Sequence, residues 1–213
     1  SCTAPTNEKD YSVFVNPFIG TGGHGHTFPG AVVPHGMIQP SPDTRIDGWD
    51  ACSGYYYEDS TINGFSHTHV SGTGCCDYGD VLLMPTVGEQ RYQTTDPQSQ
   101  QLAYSSAFSH ENETAEPGYY SVFLDTYQVK AEISATKRGA IHRYTFPESS
   151  EAGFILDLDY SLQRQTNSDM GIEVISDTEI CGHKKTTYWA FDQYINFYAK
   201  FSKPFSYTLV TDS

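Results

Sequence analysis

The stretch VKAEISAT, residues 129–136, alternates strictly between apolar and polar side chains. In an extended chain successive side chains point to opposite faces, so this stretch has one apolar face and one polar face. The stretch INFYAKFS, residues 195–202, has the same alternation. Such a period of two predicts strands of an antiparallel sheet that is buried on one side and hydrated on the other.

Shorter segments of the same kind recur along the second half of the chain, and turn signals such as Pro117-Gly118 and Lys203-Pro204 separate them. No window of ten or more residues has a convincing helical period. Many short strands without crossover helices predict an all-β protein, an antiparallel β-sandwich with little helix. The further strand segments lie near residues 120–125, 140–146, 153–158, 171–176, 178–183 and 205–211.

The chain divides by character rather than into separate domains. Residues 1–10 form a polar stretch that we expect to be a flexible tail, and residues 11–213 are expected to form a single β-sandwich domain. Within this domain, residues 11–85 are rich in Gly, His, Pro and Cys and form a loop-rich first third. Loops on a rigid β scaffold commonly carry function, so the functional residues are expected there.

Composition excludes several classes of function. The 213 residues carry a formal net charge of −14, whereas a general nucleic-acid binder needs clustered Lys and Arg for phosphate contacts. We therefore expect no nucleic-acid partner. No apolar run approaches the roughly 18 residues that cross a bilayer.

The cysteines do not follow a zinc-site spacing. Cys52, Cys75, Cys76 and Cys181 contain no paired C-x-x-C, and the adjacent Cys75 and Cys76 cannot easily bond to each other. We expect all four to be buried small apolar residues, with one disulfide as the alternative.

The N-terminal SCTAPTNEKD, residues 1–10, resembles the start of a mature bacterial lipoprotein. This resemblance implies that Cys2 is lipidated and that the protein is periplasmic, or is an outer-membrane or cell-surface lipoprotein of a Gram-negative bacterium. The alternative is an ordinary thiol in a polar tail.

A glycine-rich loop, GTGGHGHTFPG at residues 20–30, matches the dinucleotide-binding pattern G-x-G-x-x-G. That pattern binds a pyrophosphate only where a helix follows the loop. Pro29, Gly30, Pro34 and Gly36 prevent a helix here, so the dinucleotide interpretation fails. What remains is a loop in which Gly22 and Gly23 precede two imidazoles.

Histidines cluster in the same third of the chain, in the pairs His24/His26 and His67/His69. On a strand, residues two apart share one face about 7 Å apart, which suits two ligands of one metal ion. Carboxylates such as Asp43, Asp47 or Asp50 could complete a zinc site. Hydrogen-bonded imidazoles in a loop-rich core are the plainer alternative.

A polyol site is a third interpretation. Sugars are bound by planar polar side chains, by backbone amides that glycines expose, and by an aromatic ring against their apolar face. The stretch RIDGWDACSGYYY, residues 45–57, provides Trp49 between acids and glycines, and NGFSHTHVSGTG, residues 63–74, adds histidines and hydroxyls. Trp49 taken alone is equally well explained as a core residue.

Five long segments together resemble the N-terminal domain of glycoside hydrolase family 92, the bacterial exo-acting α-mannosidases. The likeness covers nearly all of residues 11–206. The segments are VNPFIGTGGHGHTFPGAVVPHGMIQPSPDT (15–44), CSGYYYEDSTINGFSHTHVSGTGCCDYGDVLLMP (52–85), FSHENETAEPGYYSV (108–122), AEISATKRGAIHRYTFP (131–147) and YWAFDQYINFYAKFSKPF (188–205).

This resemblance implies a β-sandwich of the supersandwich, galactose mutarotase-like type, packed against a C-terminal (α/α)6 barrel. It also implies calcium-dependent, inverting removal of terminal α-linked mannose from glycans, of the α-1,2 type. The active site would lie between the two domains. The barrel would supply the catalytic acid and base and would hold most of the calcium site.

For this chain the resemblance implies binding without catalysis. We expect no catalytic residue, no metal ligand and no calcium within these residues, although Asp47 and Asp50 are near neighbours. The partners would be a mannose-containing glycan, the barrel domain of the same protein, and a second copy through an exposed domain interface. A stand-alone carbohydrate-binding module and a metal-dependent β-sandwich enzyme remain alternatives. The predicted substrate-binding residues are Gly22, Gly23, His24, His26, Trp49, Asp50, His67 and His69.

Overall fold

A computed structural model describes residues 9–33, 35–92, 99–164 and 166–211. Within these ranges the chain forms thirteen strands and four short 3-10 helices, and no α-helix. The 3-10 helices are Ser12–Phe14, Trp49–Ala51, His110–Asn112 and Leu162–Arg164. The strands are β1 (Ser41–Asp43), β2 (Thr61–Ile62), β3 (Gly64–Ser66), β4 (Leu82–Val87), β5 (Ser106–Ala107), β6 (Glu113–Glu116), β7 (Tyr119–Leu124), β8 (Val129–Ala135), β9 (Ala140–Thr145), β10 (Ala152–Asp157), β11 (Thr166–Val174), β12 (Glu179–Thr187) and β13 (Gln193–Lys200).

The strands form four antiparallel sheets among the described residues. Two have four strands, in the orders β1-β3-β4-β10 and β6-β7-β8-β9, one has three in the order β11-β12-β13, and β2 pairs with β5. The two four-stranded sheets contribute facing residues to one apolar core, where the Phe65 and Tyr120 rings lie 6.4 Å apart. The predicted all-β antiparallel sandwich is thereby confirmed.

Alternation in β8 follows the sequence pattern with one exception. Val129, Ala131 and Ile133 are buried and Lys130 is exposed, but Glu132 on the polar face is also buried. Arg143 of β9 donates two hydrogen bonds, of 2.8 and 2.6 Å, to the Glu132 carboxylate. The neighbouring strand therefore covers a charge that the sequence pattern assigns to solvent.

A buried ion pair connects the three-stranded sheet to the loops of the first third. Lys184 of β12 lies 3.3 Å from Asp80 Oδ1, with both side chains fully buried, and also donates to the Tyr160 carbonyl. The other Asp80 oxygen accepts hydrogen bonds from Thr68 Oγ1 and Gln193 Nε2, each 2.7 Å. A buried charge is tolerated only when paired and hydrogen-bonded in this way.

Two expectations about local structure are wrong in detail. Residues 205–211 have the alternating pattern but form no strand. Of the four cysteines, Cys52 and Cys76 are buried as expected, whereas Cys75 and Cys181 are partly exposed, and all four are free thiols.

Cys2 and most of the predicted tail lie outside the described residues. Among the residues that are described, none belongs to a helix of the length and hydrophobicity that a membrane span requires.

Candidate functional site

The glycine-rich loop is a tight turn closed by its own backbone. The Thr27 amide donates to the Gly20 carbonyl over 3.2 Å, and a Cβ on Gly25 would lie 2.2 Å from that same oxygen. Residues 25–33 that follow are irregular, so no helix N-terminus faces the loop. The glycines therefore serve close backbone packing rather than phosphate binding.

The segment 48–54 carries Trp49 and is held at both ends. Gly48 has φ of +112°, a conformation that L side chains rarely adopt, and it introduces the Trp49–Ala51 turn. Farther along, the Ser53 hydroxyl donates 2.9 Å to the Thr27 carbonyl, which ties this segment to the glycine-rich loop. Ala51 is buried at 1% exposure, whereas Trp49 is 58% exposed.

Trp49 and the side chains around it form an exposed patch, which we name the Trp49 surface and define by His24, His26, Trp49, Asp50 and Gly74. His24 lies 5.0 Å from the indole, between ring centroids, and its Nδ1 is 2.5 Å from Asp50 Oδ1. His26 meets the indole edge-on at 4.4 Å and is only 7% exposed. The His24 imidazole is thus at the solvent edge, and the His26 imidazole lies behind the indole.

Gly74 closes the Trp49 surface from a third loop. Its φ is +66°, and a Cβ there would lie 3.2 Å from both the His26 ring and Trp49 Nε1. Sequence reasoning missed this residue. The only signal was its place in the SGTG run, which does not reveal what the glycine faces.

His69 and Asp43 lie in the interior, beneath the segment that carries Trp49. His69 Nε2 is 2.8 Å from Asp43 Oδ1, its Nδ1 is 2.7 Å from the Gln39 carbonyl, and both side chains of the pair are fully buried. The Ser66 hydroxyl also lies 3.1 Å from His69 Nε2, so this nitrogen has two polar neighbours. A Cβ on Gly54 would collide with Asp43 Oδ1 at 2.1 Å, so this pair packs directly under the end of the segment.

His67 belongs to a different hydrogen-bond chain. Its Nδ1 donates to the Val81 carbonyl at 2.6 Å, and its Nε2 lies 3.1 Å from Nε2 of His142, whose Nδ1 lies 2.8 Å from the Tyr144 hydroxyl. One set of tautomers satisfies every contact: Tyr144 donates to His142, and His142 donates to His67. Burial lowers the pKa of both imidazoles, that of His142 to about 3, which keeps the pair neutral.

The H-x-H pairs therefore do not converge as a strand-borne metal site requires. β3 ends at Ser66, before His67 and His69, and these two rings contact different partners. Across the described ranges, no three His, Cys, Asp or Glu side chains form a group that could hold a metal ion. The geometry favours the structural and polyol interpretations of the histidines over the transition-metal one.

A polar groove of about 440 Å³ opens next to the Trp49 surface. Asp47 and Gly48 form its near wall, and the Gln100 amide donates 2.6 Å to Asp47 Oδ1. Arg45 makes a double hydrogen bond to Asp59 in the same wall, with a shortest distance of 2.8 Å. Planar polar side chains of this kind are among the groups that polyol recognition uses. The full lining is Thr44, Arg45, Asp47, Gly48, Glu58, Asp59, Ser60, Thr61, Gln100 and Gln101.

The sequence matches the family model of the glycosyl hydrolase family 92 N-terminal domain over residues 14–213. The chain belongs to this family. The GH92 α-mannosidase BT3965 from Bacteroides thetaiotaomicron, solved in complex with mannoimidazole, is 41% identical. It superposes with a TM-score of 0.86 over 91% of this chain and 25% of its own.

Other relatives of this GH92 chain agree with that assignment. The inverting mannosidase BT2199 from Bacteroides thetaiotaomicron VPI-5482 is 31% identical with a TM-score of 0.66, over 83% of this chain and 23% of its own. An uncharacterized secreted glycosidase of Arthroderma benhamiae is 31% identical over 154 residues, 70% of this chain and 19% of its own. The GH92 chain thus spans about a fifth to a quarter of the length of these relatives.

The structure brings together some of the predicted binding residues and separates others. His24, His26, Trp49 and Asp50 meet at one surface. The glycine-rich loop that carries Gly22 and Gly23 borders this surface, and Gly22 also lines a smaller groove beside Tyr57. His67 and His69 are instead hydrogen-bonded to residues outside this surface.

Proposed function

We propose that this chain is the mannose-binding part of an inverting exo-α-mannosidase of the α-1,2 type. One observation carries the proposal: Trp49 is exposed on a segment whose flanks are fixed, with His24 and Asp50 hydrogen-bonded at its edge. A rigid aromatic ring with adjacent polar groups binds a sugar at low cost in conformational entropy. The mannoimidazole complex of BT3965 supports mannose as the ligand class.

In this proposal the chain binds and orients the terminal mannose and does not cleave it. Inversion needs a protonated carboxyl and a basic carboxylate about 6.5–9.5 Å apart, with water between them. Asp50 is paired with His24, and Asp47 accepts a hydrogen bond from Gln100, so both act as acceptors. In the proposal, the acid and the base come from a part of the protein beyond these residues.

The remaining expectations of the family resemblance form part of the same proposal. Calcium is required by the complete enzyme and is held mainly by its (α/α)6 barrel, which packs against the Trp49 surface. The isolated chain leaves that surface uncovered and self-associates through it. Lipidation at Cys2 anchors the protein in the periplasm or at the cell surface, where mannose glycans are met. The secreted description of the Arthroderma benhamiae relative is compatible with an extracytoplasmic site.

The matched variants W49A and W189A test the binding role, since both tryptophans are largely exposed, at 58% and 66%. In the complete protein we expect W49A to lower kcat/KM for an α-1,2-linked mannobiose by at least about tenfold, which corresponds to about 1.4 kcal/mol of lost transition-state binding. W189A should stay within about twofold of wild type. Equal effects of the two variants would refute a specific role for Trp49.

Two further assays separate the parts of the proposal. The chain alone should not hydrolyse an aryl α-mannoside, and activity near that of the complete protein would overturn the division of labour. Chelation should abolish hydrolysis by the complete protein, and calcium should restore it. A preference for α-1,3- or α-1,6-linked mannobiose would correct the linkage.

A further inference from the structure

The outer face of the three-stranded sheet carries two exposed tyrosines on one strand. Tyr194 and Tyr198 of β13 are 64% and 59% exposed. Four residues separate them along an extended strand, so both side chains lie on the same face, with Cα atoms about 13 Å apart. We name this surface the Tyr194 face and define it by Asp169, Glu173, Cys181, His183, Lys185, Tyr194, Asn196 and Tyr198, which the strand register places side by side.

The Tyr194 face is turned away from the loops that carry the Trp49 surface. Lys184 of β12 points to the other side of the sheet, where it is buried against Asp80 and the Tyr160 carbonyl. Successive side chains of a strand alternate between its two faces, so His183 and Lys185 point away from those loops. A ligand on the Tyr194 face therefore does not occupy the Trp49 surface.

Neighbouring residues hold two of the rings on this face in place. Gly171 of β11 pairs with His183, and a Cβ on this glycine would lie 2.7 Å from the His183 ring, so the imidazole occupies the space above the glycine. Asp169 Oδ1 lies 3.4 Å from His183 Nε2. The Lys185 ammonium lies 5.0 Å from the centroid of the Tyr194 ring, within the range of a cation–π interaction. The face is therefore flat and partly preorganised.

The charges of the Tyr194 face favour a neutral ligand. Lys185 is paired with Asp192 at 2.7 Å, and Lys200, at the end of β13, is paired with Glu179 at 2.8 Å. Because both lysines are neutralised within the protein, the face has little to offer the phosphates of a nucleic acid or a lipid. The core of a protein interface is depleted of charged residues, whereas charged groups lie at the middle of this face.

We propose that the Tyr194 face binds a chain of neutral sugars, an α-mannan, at a site separate from the Trp49 surface. The choice of mannan rests on the proposed function, whereas the neutral polyol chemistry rests on the face itself. The Tyr194 and Tyr198 rings stack on the apolar faces of sugars, and their separation matches a ligand of more than one sugar ring. Asn196 is exposed between them and provides amide donors and an acceptor for hydroxyl groups. This site holds the protein on its glycan and takes no part in cleavage.

The test is native electrophoresis of the complete protein in gels with and without dissolved α-1,6-linked mannan. Mannan should retard wild type, and Y194A/Y198A should bind it at least about fivefold more weakly, because both stacking rings are lost. Y194F/Y198F keeps the rings and should keep the retardation. Y207A is the matched control, because Tyr207 is 60% exposed but packs 6.4 Å from Phe205, outside the sheet. An unchanged melting temperature shows that each variant is folded.

The W49A variant separates this inference from the proposed function. W49A should keep its retardation by mannan even though its kcat/KM for mannobiose falls. Retardation that is lost in W49A but kept in Y194A/Y198A would overturn the inference and leave the Trp49 surface as the glycan site. A W49A variant with full activity and full retardation would refute the proposed function and leave the Tyr194 face supported. Wild type that mannan does not retard, or equal retardation of wild type and Y194A/Y198A, would also overturn the inference.

Discussion

Protonation of the partly buried pair His67 and His142 is expected to destabilise the protein in mild acid. His142 Nε2 donates to His67 Nε2, and the outer nitrogens of both rings are already occupied by the Tyr144 hydroxyl and the Val81 carbonyl. A proton added to His67 would therefore place two N–H groups against each other, and a proton added to His142 would require the Tyr144 hydroxyl to turn from donor to acceptor. Burial adds to this cost, and the pKa of His142 falls from an ordinary value of 6.5 to about 3.

The sign and the size follow from the linkage between proton binding and folding. Below pH 6.5 the unfolded chain binds a proton at His142 and the folded chain does not, so the free energy of unfolding falls with falling pH. The slope is about 1.4 kcal/mol per pH unit for one histidine. Between pH 7 and pH 5 the expected loss is about 2 kcal/mol from His142, and it continues until the pH reaches about 3. The pKa of His67 is also lowered, so its contribution has the same sign.

Urea unfolding at pH 7 and pH 5 measures this loss in wild type, H142Q and H183Q. The amide of H142Q can still donate to His67 but does not titrate, so we expect the loss in this variant to be about 2 kcal/mol smaller than in wild type. H183Q leaves the hydrogen bonds among His67, His142 and Tyr144 intact, so it should lose as much stability between pH 7 and pH 5 as wild type does. The reasoning is refuted if H142Q and wild type lose the same stability, or if the NMR signal of His142 titrates near pH 6.5.

Two further pairs of variants test the structure. G74A should lower the free energy of unfolding by about 1 kcal/mol more than G72A does, and it should shift the tryptophan fluorescence. Both glycines have positive φ, but only a Cβ on Gly74 meets neighbours within 4 Å. Equal losses of stability and unchanged fluorescence would contradict this. In urea unfolding, K184M should lower the free energy of unfolding by about 3–5 kcal/mol, because it leaves the Asp80 carboxylate buried without its cation. K200M removes an exposed ion pair and should cost less than about 1 kcal/mol, and a similar cost for both lysine variants would contradict a buried role for Lys184.

Much of the fold was predictable because strand alternation is a local property. The pattern at residues 129–136 became β8 up to Ala135, and the pattern at residues 195–202 overlaps β13 up to Lys200. The segment 205–211 shows where such reasoning fails, since a strand also needs a partner for its backbone hydrogen bonds. Glu132 shows a second failure, because its burial depends on Arg143 of the neighbouring strand.

The candidate site was predictable where single residues have a distinctive chemical character. Trp49, His24 and Asp50 stood out as an aromatic, an imidazole and an acid among glycines, and they do meet. His142 did not stand out, because an alternating strand gives no sign that one of its residues faces a distant histidine. Gly74 did not stand out either, because its role is to leave room for the His26 ring and for Trp49 Nε1, where a side chain would collide.

The sequence by itself determined the all-β architecture and the family, since these depend on periodicity and on long ordered motifs. The tertiary structure alone decided which histidine is exposed, which is buried against Asp43, and which is kept neutral beside His142. The physical reason is that an imidazole takes its protonation and its role from the groups around both ring nitrogens. In this protein those groups come from distant parts of the chain.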